Sequence, residues 1–434
     1  MLKISESGNE NYLAQVVKLQ GVRMHEDAHS LQCVNINFQN VITGMTAKDG
    51  DIYVYFPVGC AINKEYLAAS NSFRTKELNA DSEQQGYFDD NGRVKPTKLR
   101  GEKSCGYIVP AADINEFFGC EISEVDAGTT FDTIGSTQVC EKYIVKTKTK
   151  GMSGGKQGKE PKVSRIIDGQ VHLHVSTSNL RQNAHKIKPN SLISVTYKTH
   201  GTSWWTSNVK VKKPLTWKER LLKKLGFNIV DEEYDLVYGS RKVVKNKSLD
   251  DPKQKDHYYG YDLWEDIKNE VGHTIPKGFT LYGECLGYDK NGGAIQGEFD
   301  YGCVGNEHKL EVYRITQTNP DGLVTELDLP QRMEFCEKAG LNPPHLFYYG
   351  KAKDMFPELD LDDHWNENFV LKLQDTYNEK DCFMCANKVP EEGIVVRIED
   401  NLFDCEAYKL KSFRFLGIES DEQDKGISNI EDEN

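Results

Sequence analysis

The sequence predicts an α+β protein of two domains, an all-β barrel in front and a larger unit of mixed strands and helices behind. Three observations point there. The chain has 434 residues, too long for one ordinary domain. Residues 12–135 are dense in short alternating segments, AQVVKLQGVR, QCVNINFQNVITG and DGDIYVYFPVG, parted by Gly, Asp and Asn turns. Beyond residue 165, strand-like runs such as FTLYGECLGY and EEGIVVRI are interspersed with helical ones such as WKERLLKKLGF.

Composition sets outer bounds. At 38% apolar and 10% aromatic residues, the chain can build cores and is not disordered. It has no 18-residue apolar run, so no membrane-spanning helix and no membrane partner are expected. MLKISESGNE lacks an apolar stretch, so no secretory signal is expected. Eleven scattered cysteines, an odd number, read as reduced thiols in a cytoplasm. The net charge of −13 argues against a polyanion partner until its distribution is considered. Residues 142–165 hold eight Lys/Arg against one acid, and 186–224 hold ten against one. A basic band within an acidic protein fits a polyanion track, or else two solvated faces.

In chain order, residues 1–141 read as the first domain, whose five or so short strands suggest a barrel of OB type. Lys95, Lys98, Arg100 and Lys103 crowd one loop there, as phosphate contacts or as an exposed basic hairpin. Residues 142–165, rich in Lys and Gly, read as a flexible basic linker. Residues 166–418 form the second domain. It should hold a strand over 166–175, a polar helix or loop over 178–188, and further strands at 279–288, 309–316, 369–373 and 393–399. Residues 204–235 look like an insertion, with a basic amphipathic helix bearing Leu221, Leu222 and Leu225 on one side. Trp204, Trp205 and Trp217, set among lysines, leave base stacking and core packing both open. Residues 419–434 read as an acidic disordered tail.

The chemistry centres on SVTYKTHGTS, residues 194–203, a strand that ends in a Gly-containing turn. The lysine precedes the glycine and no second glycine follows, so this is no Walker-type phosphate cradle. It offers one amine at a strand rim beside hydroxyl and backbone donors, which suits a lysine attacking a phosphate. A turn lysine without function is the alternative.

Taken with FTLYGECLGY, KLEVYRIT, EEGIVVRI and EAYKLKS in that order, Lys198-x-His-Gly resembles the motifs of ATP-dependent RNA ligases, in the covalent nucleotidyltransferase superfamily. YVYFPVG and the Val94–Gly106 pattern resemble the N-terminal OB domain of the fifth RNA-ligase family, the protist and Deinococcus type. The resemblance implies a nucleotidyltransferase domain of antiparallel sheets flanked by helices. It implies that Lys198 forms a lysyl-AMP with ATP, that AMP passes to a 5′-phosphate, and that a 3′-hydroxyl then seals RNA ends or nicks. It makes Lys409, Lys411 and Glu392 catalytic. It puts His200, Gly201, Arg241 (after Ser240), Glu284 and Tyr313 around ATP, and a Mg²⁺ or Mn²⁺ ion on Glu392 and Glu284. Glu392 is chosen over Glu391 because it directly precedes Gly393. A monomeric microbial or phage enzyme acting on broken or nicked RNA, tRNA among the candidates, is the expectation.

The chain departs from the pattern in two places. Tyr197 stands where many such enzymes have Glu, and 86 residues separate Lys198 from Glu284, a long interval that the insertion explains. DNA ligases and capping enzymes carry an OB domain after the last lysine motif, and none is expected here. The alternatives are an RNA-binding protein with an inactive fold, and a ligase for DNA or mixed duplexes. Cys382-x-x-Cys385 lacks two further zinc ligands at suitable spacing and reads as packed thiols.

Overall fold

The computed structural model describes residues 4–6, 9–145, 164–248 and 259–427. Most of the expected linker therefore lies outside the described residues.

The first domain is built around Ile52–Phe56, a strand buried on both faces. Its alternation sorts the side chains: Val54 and Phe56 enter one core with Val16, Phe88 and Phe131, whereas Tyr53 and Tyr55 enter a second with Val34, Ile36 and Val41. The strand sits inside a four-stranded sheet in the order Tyr107–Pro110, Ile52–Phe56, Ala14–Lys18, Thr130–Phe131. A three-stranded meander (Arg23–His25, Ala28–Ile36, Gln39–Thr43) lies beside it. The domain is mainly β but not all-β. Helices Lys64–Ala69 and Ala111–Phe118 cover the larger core through Tyr66, Leu67 and Ile114.

The second domain is made of two five-stranded sheets. One runs Ser178–Asn179, Glu406–Lys411, Gly393–Ile398, Leu192–Lys198, Leu346–Lys351, antiparallel except for the first pair. The other runs Glu232–Gly239, Thr202–Lys212, Phe279–Gly287, His308–Thr318, Val324–Glu326, antiparallel throughout. The chain passes from the first sheet to the second at residues 199–201. That crossing requires a residue without a side chain, because a Cβ on Gly201 would collide with the Cys285 carbonyl oxygen.

Period-2 alternation gives the first sheet two faces. Ile193, Val195, Ile394, Val396 and Leu410 pack against helix Trp365–Tyr377. Ser194, Thr196, Lys198, Val395, Arg397, Lys409 and Lys411 face the opposite way, into a cleft shared with the second sheet and the N-terminal domain.

Several expectations are corrected. FVLKL at 369–373 is helical: Phe369, Val370 and Leu373 line one face with Trp365, a spacing that a helix buries together. Residues 166–175 make a bridge at Ile166 to Val211 but form no strand. The 217–224 helix exists, closed by a Thr216–Glu219 capping box, yet it buries nothing, and Leu221, Leu222 and Leu225 stay exposed. Trp204 and Trp205 are core residues at 1% exposure, which removes them as base platforms, whereas Trp217 is 71% exposed. The tail does not become disordered at Glu419. Helix Phe413–Asp424, capped by the Ser412 hydroxyl, runs through it, and the Arg93 guanidinium of the first domain binds its Ser420 carbonyl at 3.0 Å and Asp424 at 2.6 Å.

Candidate active site

Three strands put two lysines on one row. Lys198 pairs with Gly393, and Gly393 pairs with Lys411. Gly393, at φ +143°, has no side chain to separate them, and a Cβ there would strike the Leu410 carbonyl. Lys198 and Lys411 therefore both reach the Glu392 carboxylate, Nζ to Oε1 at 2.7 and 3.1 Å. His200 Nδ1 stands 3.9 Å from the other oxygen. Burial works to raise the Glu392 carboxyl, but the Lys198 and Lys411 ammonium groups outweigh it and hold it below the usual carboxylate range. Glu392 Oε2 is buried with no hydrogen-bond partner among the described residues, which leaves an acceptor for a cation. Glu391 is buried nearby with no side-chain partner among the described residues, and burial lifts its carboxyl to about 7, a poor state for holding a metal. The adjacency to Gly393 thus selects the carboxylate that meets the lysines.

Lys409 lies two residues back on the Lys411 strand and faces the same cleft. Burial, with Lys411, Lys198 and Arg241 as neighbouring cations, lowers its amine to about 7. Lys411 goes the other way: burial would lower it, but Glu419 (2.6 Å) and Glu392 keep it charged well above the ordinary lysine range.

The second sheet supplies the facing wall. Glu284 accepts from the Ser203 hydroxyl at 3.1 Å. Directly across the strand pair, Glu311 accepts from Thr199 Oγ1 at 2.7 Å, and burial raises its carboxyl to about 7. Tyr313 is the extra residue of a β-bulge, since Tyr282 pairs with Arg314 and Gly283 with Val312. The bulge re-aims its ring into the cleft beside His174, centroids 5.4 Å apart. Arg241 lines the same cleft, and Trp205 Nε1 fixes the preceding Ser240 carbonyl at 2.7 Å. His200 is buried, and desolvation lowers its pKa, favouring neutral imidazole; its backbone N–H donates to Tyr301 Oη at 2.5 Å.

Lys198, His200, Arg241, Glu284, Tyr313, Glu392, Lys409 and Lys411 thus line one cleft of about 280 Å³, with Gly201 at the chain crossing beside it. The four N-terminal cations do not join them. Lys95 pairs with Asp89 (2.5 Å) and Asp424 (2.7 Å), and Lys103 pairs with Glu379 (2.7 Å), so both serve contacts within the chain. Lys98 is exposed, and the exposed Arg100 bonds the Asp27 carbonyl. Sequence reasoning missed Thr199, Glu311, Arg181 and Glu419. Thr199 and Glu311 flank motif residues and could have been weighed; Arg181 and Glu419 carry no local signal. Arg181 is buried and donates to the Lys411 carbonyl at 3.0 Å and to Gln374 at 2.9 Å.

Among the described residues no three His, Cys, Asp or Glu side chains gather as a metal cage. The site instead fits an ion held by one or two carboxylates and completed by phosphate and water, the usual habit of Mg²⁺.

Glu419 occupies Lys411 just where an anion would bind. Glu419→Gln is expected to tighten pyrophosphate or triphosphate binding on the order of tenfold, about 1.4 kcal/mol. Titration calorimetry checks this, and unchanged affinity would show that the contact does not compete with phosphate.

No known protein family matches the chain by profile, and no curated protein matches it by sequence. Solved structures do match. Naegleria gruberi RNA ligase, as a lysine-to-alanine variant with ATP and Mn, aligns at TM-score 0.58 and 13% identity over 95% of this chain and 99% of that one. A lysine-to-methionine variant with AMP and Mn aligns at 0.57 and 14%, over 94% and 99%. The same ligase with PPi aligns at 0.55 and 15%, over 94% and 99%. Over nearly its whole length, this chain has the fold of Naegleria gruberi RNA ligase.

Proposed function

We propose that the protein is an ATP-dependent RNA ligase that seals 3′-hydroxyl and 5′-phosphate RNA ends at nicks through lysyl-AMP and RNA-adenylate intermediates. The observation that carries this reading is the Lys198–Glu392–Lys411 cluster at the strand crossing of a fold shared with an RNA ligase. Lys198 Nζ attacks the α-phosphorus of ATP; the P–N bond forms and the bond to the pyrophosphate oxygen breaks. A 5′-phosphate oxygen then takes the AMP and frees the lysine, and the RNA 3′-hydroxyl finally displaces AMP. Glu392, 2.7 Å from Lys198 Nζ, orients the amine. Lys411 and a recharged Lys409 would neutralise the transferring phosphate. Tyr313 would stack on adenine, with Glu284 at the ribose and His200 and Arg241 at the phosphates. A Mg²⁺ or Mn²⁺ ion, held by Glu392 with Glu284, would supply charge neutralisation at the phosphates. The N-terminal domain, read as OB type, would guide RNA over exposed Lys98 and Arg100. Lys95 and Lys103 could join them only by exchanging their carboxylate partners. The test is a nicked RNA duplex carrying a labelled 5′-phosphate at the nick, incubated with protein, ATP and either metal. Ligated product is expected. Sealing of the all-DNA nick alone would overturn the RNA assignment.

Lys409 gives this reading a proton signature. Its folded value of about 7 lies below the ~10.4 of an unfolded lysine. Between those values the unfolded chain holds a proton that the folded one lacks, so Lys409 makes stability rise with pH across that window. Triphosphate bound at pH 8 should recharge it, with uptake approaching about one proton. Calorimetry in two buffers of different ionisation enthalpy measures this, and Lys409→Met should abolish it. Equal heats in both buffers for the wild type would refute the assignment.

A further inference from the structure

The Cys382–Cys385 turn lies outside the cleft, against the back of the nucleophile strand. Tyr197, the residue before Lys198, points away from the cleft into a cluster with Phe299, Tyr301, Cys382, Val389 and Phe415. The exposed Phe383 ring stands edge-on to the Tyr197 ring, centroids 5.0 Å apart, and Cys382 packs in the same buried cluster as Tyr197. Tyr301, in the same cluster, holds the His200 backbone. The end of the turn is pinned by Asp300, which accepts from the Ala386 and Asn387 backbones at 2.8 and 2.7 Å, and the chain then runs on to Glu392. The turn thus packs against the supports of Lys198 and His200.

Two cysteines three residues apart around such a turn have Cα atoms within about 7 Å, which suits a disulfide. Both residues pack in the Tyr197 cluster, Cys382 buried within it and Cys385 half-buried against it. The neighbouring Cys385 thiol, more than the Tyr197 side chain, holds Cys382 below the usual thiol range, to about 6 despite burial, and Cys385 is raised in turn. Burial pushes the thiols of Cys60, Cys105, Cys140 and Cys285 upward. All eleven cysteines are free, and this pair combines an attacking thiolate with a resolving thiol.

We propose that Cys382 and Cys385 form a reversible disulfide site whose closure shifts Tyr197 and disarms Lys198. The oxidant is a peroxide. The Cys382 thiolate attacks one peroxide oxygen, the O–O bond breaks, and Cys382 sulfenic acid and hydroxide form. Cys385 sulfur then displaces the sulfenic oxygen, which leaves as water with the Cys385 proton. Two thiols are oxidised, one peroxide is reduced to two waters, and a dithiol reverses the step by exchange. The effect on adenylylation rests on the ligase reading; formation of the disulfide does not.

The test exposes the full-length protein to a brief hydrogen peroxide pulse, alkylates it and maps its peptides. Labelling by ATP and amide exchange over residues 192–200 are read in the same samples. A Cys382–Cys385 peptide lacking two hydrogens is expected, with adenylylation about tenfold to hundredfold slower, the scale of a small misplacement of a reacting group. Dithiothreitol should restore the rate. Cys382→Ser should label normally when reduced and lose the reversible response; if it does not fold, Cys385→Ser treated with diamide serves instead. Separate alkylation of both thiols after the pulse would overturn the proposal. So would a disulfide that leaves labelling and exchange unchanged. Should the reduced protein accept no label, the ligase reading falls, and the linked peptide with altered exchange still decides this one.

Discussion

Lys198→Ala is expected to abolish covalent labelling of the protein by α-labelled ATP, a loss on the order of a thousandfold or more, as for removal of other catalytic nucleophiles. The fold should survive, because Glu392 keeps Lys411 at 3.1 Å and is not left as an unpaired buried charge. Lys409 and Lys411 belong to another strand, so neither can stand at the crossing where Lys198 ends its own. The measurement is a denaturing gel of wild type and variant after incubation with Mg²⁺ or Mn²⁺. Label on both proteins would place the nucleophile elsewhere. Absence of label on folded, AMP-free wild type would end the ligase reading.

Glu399→Ala should cost about 3–5 kcal/mol of stability, as expected when one partner of a buried ion pair is removed. Glu399 is fully buried behind the cleft floor. It receives Arg332 through two nitrogens at 2.7 and 3.1 Å and the Ser194 hydroxyl at 2.6 Å, with Arg397 at 3.7 Å. Arg397 in turn meets Glu326, which also holds Arg314, so the deletion strands charge along a chain of ion pairs joining both sheets. Denaturant unfolding at constant m-value measures the cost, and a loss below about 1 kcal/mol would mean that water reaches the network. An Arg332→Met/Glu399→Leu double variant should recover much of it. Burial opposes ionisation of Glu399, but Arg332 and Arg397 prevail and depress its pKa. Its contribution is therefore present above the ~4.3 of an unfolded glutamate and is lost as pH falls through the folded value.

Much of the site was legible in the sequence because its geometry is local. The Ile193, Val195, Tyr197 alternation sets the face of the nucleophile strand, and the same rule turns Lys409 and Lys411 to one side of theirs. Glu392 could be chosen over Glu391 because a glycine beside it opens the row between two lysines. Short apolar runs were ambiguous: FVLKL suits a strand until Trp365, four residues before Phe369, brings it onto a helix face.

What the sequence alone determined about this protein is thus which side chains share the cleft-facing side of their strands. The tertiary structure decided which charges remain available. Lys95 looked like a phosphate contact, yet Asp424, 329 residues along the chain, neutralises it. Glu419 looked like part of a disordered tail, yet it lies on a helix and caps Lys411. Lys409 and Lys411 share a strand and differ in charge state because one is buried among cations and the other between carboxylates. Each outcome depends on burial and on distances of a few ångströms between residues far apart in sequence, and only the folded chain sets those.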